Sequence, residues 1–229
     1  TAATAQWHDG DMIRNSVPEG VTVRETTTER DALIVCGPTS RDVLAGITDA
    51  DLSQGWLTHQ HATVAGNKAF LVRVSFAGEL GWEIHAENEQ MPAIYEAVIA
   101  AGAKPFGMYA LNSLRIEKGY RAWKGDLSTD YTLLEGGMER FVKFDKPFDF
   151  VGKAALQSEK QQGRKKGFVT LIVDADEADA PYMSTIWVGD TVVGETTSGA
   201  WGYRVNASIA LGMVKAEYAV PGTKLEVEI

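Results

Sequence analysis

The chain changes character near residues 160–166. Upstream of that stretch, helical periodicity and strand-like runs alternate. Downstream there are only short β-branched runs, at residues 168–173, 185–188, 191–193, 209–214 and 224–229. Turn residues separate them, notably Gly189-Asp190 and Pro221-Gly222. Short strands punctuated in this way predict a small all-β barrel or sandwich. The stretch between, polar and basic around Gly163, predicts a connection. The chain therefore reads as two domains, 1–160 and 161–229.

The first of these reads as α+β, a sheet with helices on one face. Residues 2–14 have partly helical spacing around Trp7 and Met12. Residues 21–25 alternate with period two and predict a strand. The run Ala32-Leu-Ile-Val-Cys36 is apolar throughout and predicts a central strand. Gly37-Pro38 ends it, and Thr39 or Ser40 caps a helix through Leu44 and Ile47. Strands follow at 62–65 and 69–76, with Gly66-Asn67 suited to a hairpin turn. Gly78-Glu-Leu-Gly81 predicts a second turn, after which Trp82-Glu-Ile-His-Ala continues as a strand. Residues 89–101 carry Met91, Ile94, Tyr95, Val98 and Ile99 at helical spacing. Asn88 suits their N-cap and Gly102 their stop, and Pro92 is close enough to the start to be tolerated. A second helix is predicted over 107–118, with Pro105 before it and Gly119 after it.

Composition removes several function classes. Hydrophobic residues are 45% and charged residues 23% of 229, as in globular proteins generally. The formal net charge is −9. Basic residues form no stripe beyond Arg164-Lys165-Lys166, so no nucleic-acid partner is expected. No apolar run approaches the roughly 18–20 residues that span a bilayer, so no membrane partner is expected either. The single cysteine, Cys36, excludes a disulfide framework within the chain and reads as a core residue. The chain lacks an initiator Met and a secretory signal pattern, and reads as part of a longer polypeptide. His59 and His61 are two apart, hence on one face of a strand. No nearby carboxylate completes a usual ligand set, so no metal is expected. Nucleophile-elbow, P-loop and dinucleotide fingerprints are absent from the sequence.

Two segments have the residue types that bind ligands. In Gly78-Glu79-Leu80-Gly81 a carboxylate lies between two glycines that allow a sharp turn and close approach. Such a carboxylate can accept paired N–H bonds from an aminopyrimidinone-like ring, or be an exposed turn residue. In Ala110-Leu-Asn-Ser-Leu-Arg-Ile-Glu-Lys-Gly119, Ala110, Leu111 and Leu114 share an apolar stripe that Arg115 borders. That arginine is either paired with an acid (Glu117, Glu79 or Glu135) or aimed into a pocket. Tyr120-Arg-Ala-Trp123 follows, and its aromatics suit either a core or the stacking of a flat heterocycle.

Phe76-Ala-Gly-Glu-Leu-Gly-Trp-Glu-Ile84 resembles a segment of the glycine-cleavage T-protein (aminomethyltransferase) family. The 110–119 helix resembles that family's Leu-Arg-x-Glu signature. Leu134-Glu-Gly-Gly137, Asp149-Phe-Val-Gly-Lys-Ala-Ala-Leu156 and Thr196-Thr-Ser-Gly199 with Ile209-Ala-Leu-Gly-Met-Val214 resemble three further blocks, in family order. Glu117-Lys-Gly-Tyr-Arg-Ala-Trp123 and Ser184-Thr-Ile-Trp187 resemble the dimethylglycine and sarcosine dehydrogenase branch.

The resemblance implies a folate-binding domain followed by a β-barrel domain. It implies a tetrahydrofolate-dependent one-carbon transfer module that captures the one-carbon unit of an amine-derived iminium as methylenetetrahydrofolate. Glu79 would then hold the pterin ring, Arg115 would help to position it, and Phe76 would line its pocket. FAD would belong to an upstream flavin domain that oxidises a small N-methyl amine. The family's catalytic aspartate is implied to lie upstream of Thr1, so no catalytic residue is assigned here. The branch implies a cytoplasmic protein, or a matrix protein in a mitochondrion. A stand-alone aminomethyltransferase or a folate-dependent demethylase is the nearest alternative. A non-catalytic folate-binding relative is a further one, against which Lys118-Gly-Tyr-Arg121 lacks the cysteine of that group's Lys-Gly-Cys-Tyr segment.

Overall fold

The computed structural model describes residues 5–175 and 178–229. It divides into two compact units, Thr1–Leu111 and Asn112–Ile229. In the first, a helix α1 (Gln6–Ser16) precedes β1 (Arg30–Cys36), α2 (Ser40–Ala45), β2 (His59–Val64) and β3 (Asn67–Val72). Then come β4 (Gly81–Glu87), α3 (Met91–Ala100) and α4 (Met108–Glu117), whose second half belongs to the next unit. The four strands form an antiparallel sheet in the order β1-β4-β3-β2.

The period-two pattern of β4 explains how this sheet is covered. Trp82, Ile84 and Ala86 point one way and are buried, while Glu83 and His85 point the other. Leu71 and Ala69 of β3 and Val64 of β2 join the buried side. Leu44 of α2 and Ile94 and Val98 of α3 pack on the same cluster, so both helices cover one face. Across the opposite face, His61, Phe70 and His85 stand in register. His59 and His61 lie about Phe70 with ring centroids 5.0 and 5.1 Å away.

Several sequence expectations shift here. The strand expected at 21–25 is not formed: Val21 and Val23 are exposed, and no strand pairs with the segment. The Val21 N–H donates instead to the Pro18 carbonyl at 3.2 Å, a local turn bond and not a ladder bond. The apolar strand at 32–36 exists, but β1 is an edge strand and not a central one. Its apolar side chains are accounted for by the core on one side. Along its edge lies a groove of about 670 Å³, lined by residues such as Leu33, Cys36, Val98, Ile99 and Phe106. Cys36, read as core, is half-buried on this groove. The hairpin turn falls one residue earlier than expected, on Ala65 and Gly66, both at positive φ (50° and 77°). Two successive positive-φ residues match the right-handed twist of a hairpin. Helical structure near the N-terminus is present as α1, and residues 2–4 of the predicted stretch lie outside the described residues.

The second unit holds α5 (Lys153–Gln162), β5 (Lys166–Val173), β6 (Thr185–Val188), β7 (Thr191–Gly202), β8 (Ala207–Lys215) and β9 (Glu226–Val227). The strands form one antiparallel sheet, ordered β5-β8-β7-β6-β9. One face packs Phe168, Ala200, Ile209 and Leu211 against Ile116 of α4. The other gathers Val169, Leu171, Ile186, Val193 and Val214 with Leu225 and Val227. The end strands β5 and β9 thus feed one cluster, which requires the sheet to curl. Among the described residues the ladder does not close between them, since β9 is only two residues long. The strand expected at 191–193 extends to 12 residues as β7, with a bulge between Thr196 and Ser198. The α+β organisation with a terminal β unit is the fold expected from the sequence. Among the described residues, no helix is long and apolar enough to cross a membrane.

Candidate functional site

The turn that carries Glu79 is fixed from several sides within the first unit. Gly78 has φ of 70°, a conformation that side chains disfavour. At Gly81 an added Cβ would lie 2.9 Å from both the Cys36 Cβ and the Val35 carbonyl oxygen. The two glycines therefore answer different needs, one a backbone angle and one a close approach to β1. Between them, the Leu80 carbonyl accepts hydrogen bonds from the Gly37 N–H (2.7 Å) and the Ser40 hydroxyl (3.0 Å). On the other side, the Ala77 N–H donates to Ser75 Oγ at 3.2 Å. Glu79 and Phe76 are half-buried on this braced loop.

The carboxylate is felt by its neighbour. Burial pushes the Cys36 thiol up from its ordinary value, the charge of Glu79 pushes it further, and a hydrogen bond with Ser75 opposes both. Less thiolate means slower alkylation. Cys36 is the only cysteine, so its modification can be followed by intact mass. It is expected to react with iodoacetamide at pH 8 more slowly than a free thiol. Glu79→Gln is expected to speed it. An unchanged rate in that variant would place Glu79 too far from β1 for the geometry above.

Arg115 belongs to the second unit and is buried, at 4% exposure. Its partner is an acid that the sequence did not single out. Nη1 lies 2.5 Å from Asp126 Oδ2, and the Asp126 side chain is fully buried. Nη1 also donates to the Tyr120 carbonyl at 3.0 Å. Nε and Nη2 donate to Asn112 Oδ1 at 3.0 and 2.7 Å, and Nη2 donates to Ser198 Oγ at 2.7 Å. A guanidinium has five N–H donors, and these five bonds use them all.

Asp126 is equally occupied. Beyond Arg115 it accepts from the Ala122 N–H (2.8 Å), the Thr197 hydroxyl (2.5 Å) and the Ser198 hydroxyl (2.9 Å). The bulge in β7 turns two consecutive side chains, Thr197 and Ser198, toward one carboxylate. No signal near Asp126 marks it: the pairing needs a turn eleven residues after Arg115 and a bulge some seventy residues further on. The apolar stripe of α4 also differs from expectation. Leu111 and Ile116 are buried, whereas Ala110 is exposed.

Glu135, from the Leu-Glu-Gly-Gly block, is a buried structural carboxylate. It accepts from the Thr132 and Lys166 N–H groups at 3.2 Å each and so ties the loop to the start of β5. Tyr131 donates to Glu195 Oε1 at 2.6 Å, and burial together with that carboxylate pushes its phenol up. Among the described residues, no group of three His, Cys, Asp or Glu side chains is arranged to hold a metal.

Residues 1–146 match the GCVT N-terminal domain, and residues 166–229 match the glycine cleavage T-protein C-terminal barrel domain. The chain belongs to the glycine cleavage T-protein family. Over its whole length it is 36% identical to the mitochondrial dimethylglycine dehydrogenase of Homo sapiens, of which it covers 28%. It is 37% identical to the mitochondrial sarcosine dehydrogenase of Mus musculus, over 80% of this chain and 21% of that protein. An aminomethyltransferase of Listeria innocua is 32% identical over 95% of this chain, which corresponds to 60% of that protein. The crystal structure of the glycine cleavage system aminomethyltransferase T from Bartonella henselae shares the fold. Its TM-score is 0.87 at 22% identity, over all of this chain and 63% of that one. The chain thus spans under a third of the dehydrogenases and under two thirds of the aminomethyltransferases.

Proposed function

We propose that this chain is the tetrahydrofolate-handling module of a longer, dimethylglycine or sarcosine dehydrogenase-like enzyme. The observation that carries the reading is the braced turn that holds Glu79. The aminopyrimidinone edge of a reduced pterin presents adjacent N–H donors. A half-buried carboxylate, fixed by Gly78 and Gly81, is the acceptor chemistry such an edge requires. The 36% identity to a dimethylglycine dehydrogenase over the whole length of this chain supports the choice of branch.

Tetrahydrofolate, when bound, would supply the amine nitrogens that take up a one-carbon unit from an iminium to give methylenetetrahydrofolate. The chain's own contribution is binding and orientation. Glu79 holds the pterin edge, Phe76 lines its pocket, and Arg115 serves the site through the groups it fixes. Holding the amine against the iminium in a dry site converts an encounter between two molecules into a positioned reaction. The catalytic aspartate and the FAD-dependent oxidation of the small N-methyl amine are assigned to the parts of the enzyme outside this chain. Residues 1–160 form the folate-binding domain in this reading, and residues 161–229 the barrel. The protein is placed in the cytoplasm, or in the mitochondrial matrix of a eukaryote.

The test is the fate of the one-carbon unit in the full-length enzyme. With tetrahydrofolate present, turnover of dimethylglycine or sarcosine is expected to yield methylenetetrahydrofolate in place of free formaldehyde. Formaldehyde release that is indifferent to tetrahydrofolate would refute the reading. A stand-alone aminomethyltransferase predicts methylenetetrahydrofolate without any amine oxidation, which the same assay distinguishes.

A further inference from the structure

The bonds of Arg115 and Asp126 converge on one short segment. Arg115 holds the Tyr120 carbonyl and Asp126 holds the Ala122 N–H. The ion pair therefore grips both ends of the backbone between Tyr120 and Ala122. The segment is closed further by the Tyr120 N–H donating to the Arg115 carbonyl at 2.9 Å. The Asp126 and Leu127 N–H groups both donate to the Ala122 carbonyl, at 3.0 and 3.1 Å. Lys124, at φ of 70°, completes the reversal, and its N–H donates to the Leu127 carbonyl. Arg121 points away and is separately fixed. Its guanidinium lies 4.1 Å from the Phe168 ring centroid and donates to the Gly136 and Gly119 carbonyls.

We propose that the Arg115–Asp126 pair is a clamp that positions the aromatic turn Tyr120–Trp123, and that Asp126 is the positioning residue through which Arg115 serves ligand binding. The inference rests on the folate reading above for its ligand, but its geometry does not. An arginine with all five donors committed inside the protein has none left for a pterin. It acts by what it holds. A buried pair of this kind contributes little net stability compared with apolar replacements, and the bonds it makes here fix one backbone arrangement.

The test combines two readouts in the full-length polypeptide. The first is the 19F spectrum of protein labelled with 5-fluorotryptophan, with the Trp123 line assigned by Trp123→Phe. Asp126→Asn is expected to move the Trp123 resonance and leave that of Trp82 in place. An unmoved Trp123 line overturns the clamp whether or not folate binds. The second is calorimetric titration with tetrahydrofolate of Asp126→Asn, Arg115→Lys and the double variant. Each single variant is expected to weaken binding by about tenfold or more, and the double variant no further than the weaker single. Additive losses, or a folded Asp126→Asn that binds like wild type, overturn the proposal, because the pair would then not act as one unit in ligand binding. Should Asp126→Asn fail to fold, Ser198→Ala takes its place in both readouts. It removes one bond from each member of the pair, and unchanged affinity with an unmoved Trp123 line would overturn the proposal. A wild-type protein that does not bind tetrahydrofolate refutes the functional reading alone, and the fluorine spectrum still decides the clamp.

Discussion

Asp126→Ala is expected to destabilise the C-terminal unit by about 3–5 kcal/mol. The loss is not the worth of one salt bridge. Removing the carboxylate leaves the Arg115 guanidinium buried with no counter-charge. It also strips acceptors from the Thr197 and Ser198 hydroxyls and from the Ala122 N–H. Each orphaned donor carries its own desolvation cost. The measurement is hydrogen exchange under increasing urea, read on peptides from β7 and β8, because a global midpoint would mix the two units. A loss below about 1 kcal/mol, the range of exposed pairs, would mean that water reaches the pair.

Trp82→Ala is expected to cost the N-terminal unit a similar amount, about 3–5 kcal/mol, by a different route. Trp82 is fully buried at the centre of the sheet's helix-covered face, and its removal leaves a cavity among Leu44, Leu71, Ile84 and Ile94. Its ring also lies 4.8 Å from the Arg73 guanidinium. Trp82→Phe keeps an aromatic face for that cation and is expected to cost clearly less. Exchange on peptides covering β3 and β4 reads the effect. Equal losses for the two variants would show that the indole is not packed as described.

These two residues also show what was legible in sequence. The strand that carries Trp82 was legible, and the face on which Trp82 lies is given by the structure's alternating burial along β4. The α3 helix was legible too, since Ile94 and Val98 lie at helical spacing and both are buried. Asp126 was not legible. Its environment is made by residues from α4, a turn and β7, and no local pattern specifies that they meet. The same limit explains β1. An apolar run states that a strand is covered, and not whether another strand or a groove beside it does the covering. The 21–25 segment fails in the opposite sense: it alternates as a strand does, yet finds no neighbour to pair with.

Of the candidate site, the Glu79 turn was the clearer half. Its glycines announce a special backbone, and the structure supplies the reason for each. Arg115 was ambiguous between an ion pair and a ligand contact. The structure gives it an ion pair with an acid outside the three considered. A helix-edge arginine identifies its own need for a partner but not which partner the fold will bring.

The most direct measurement is a calorimetric titration of the full-length polypeptide with tetrahydrofolate, beside Glu79→Ala. The wild-type protein is expected to bind one equivalent. Glu79→Ala, which removes a charge-assisted pair of hydrogen bonds, is expected to weaken binding by roughly tenfold or more while leaving the fold intact. Wild-type affinity in a folded Glu79→Ala protein would contradict the assignment of this turn as the pterin-binding element.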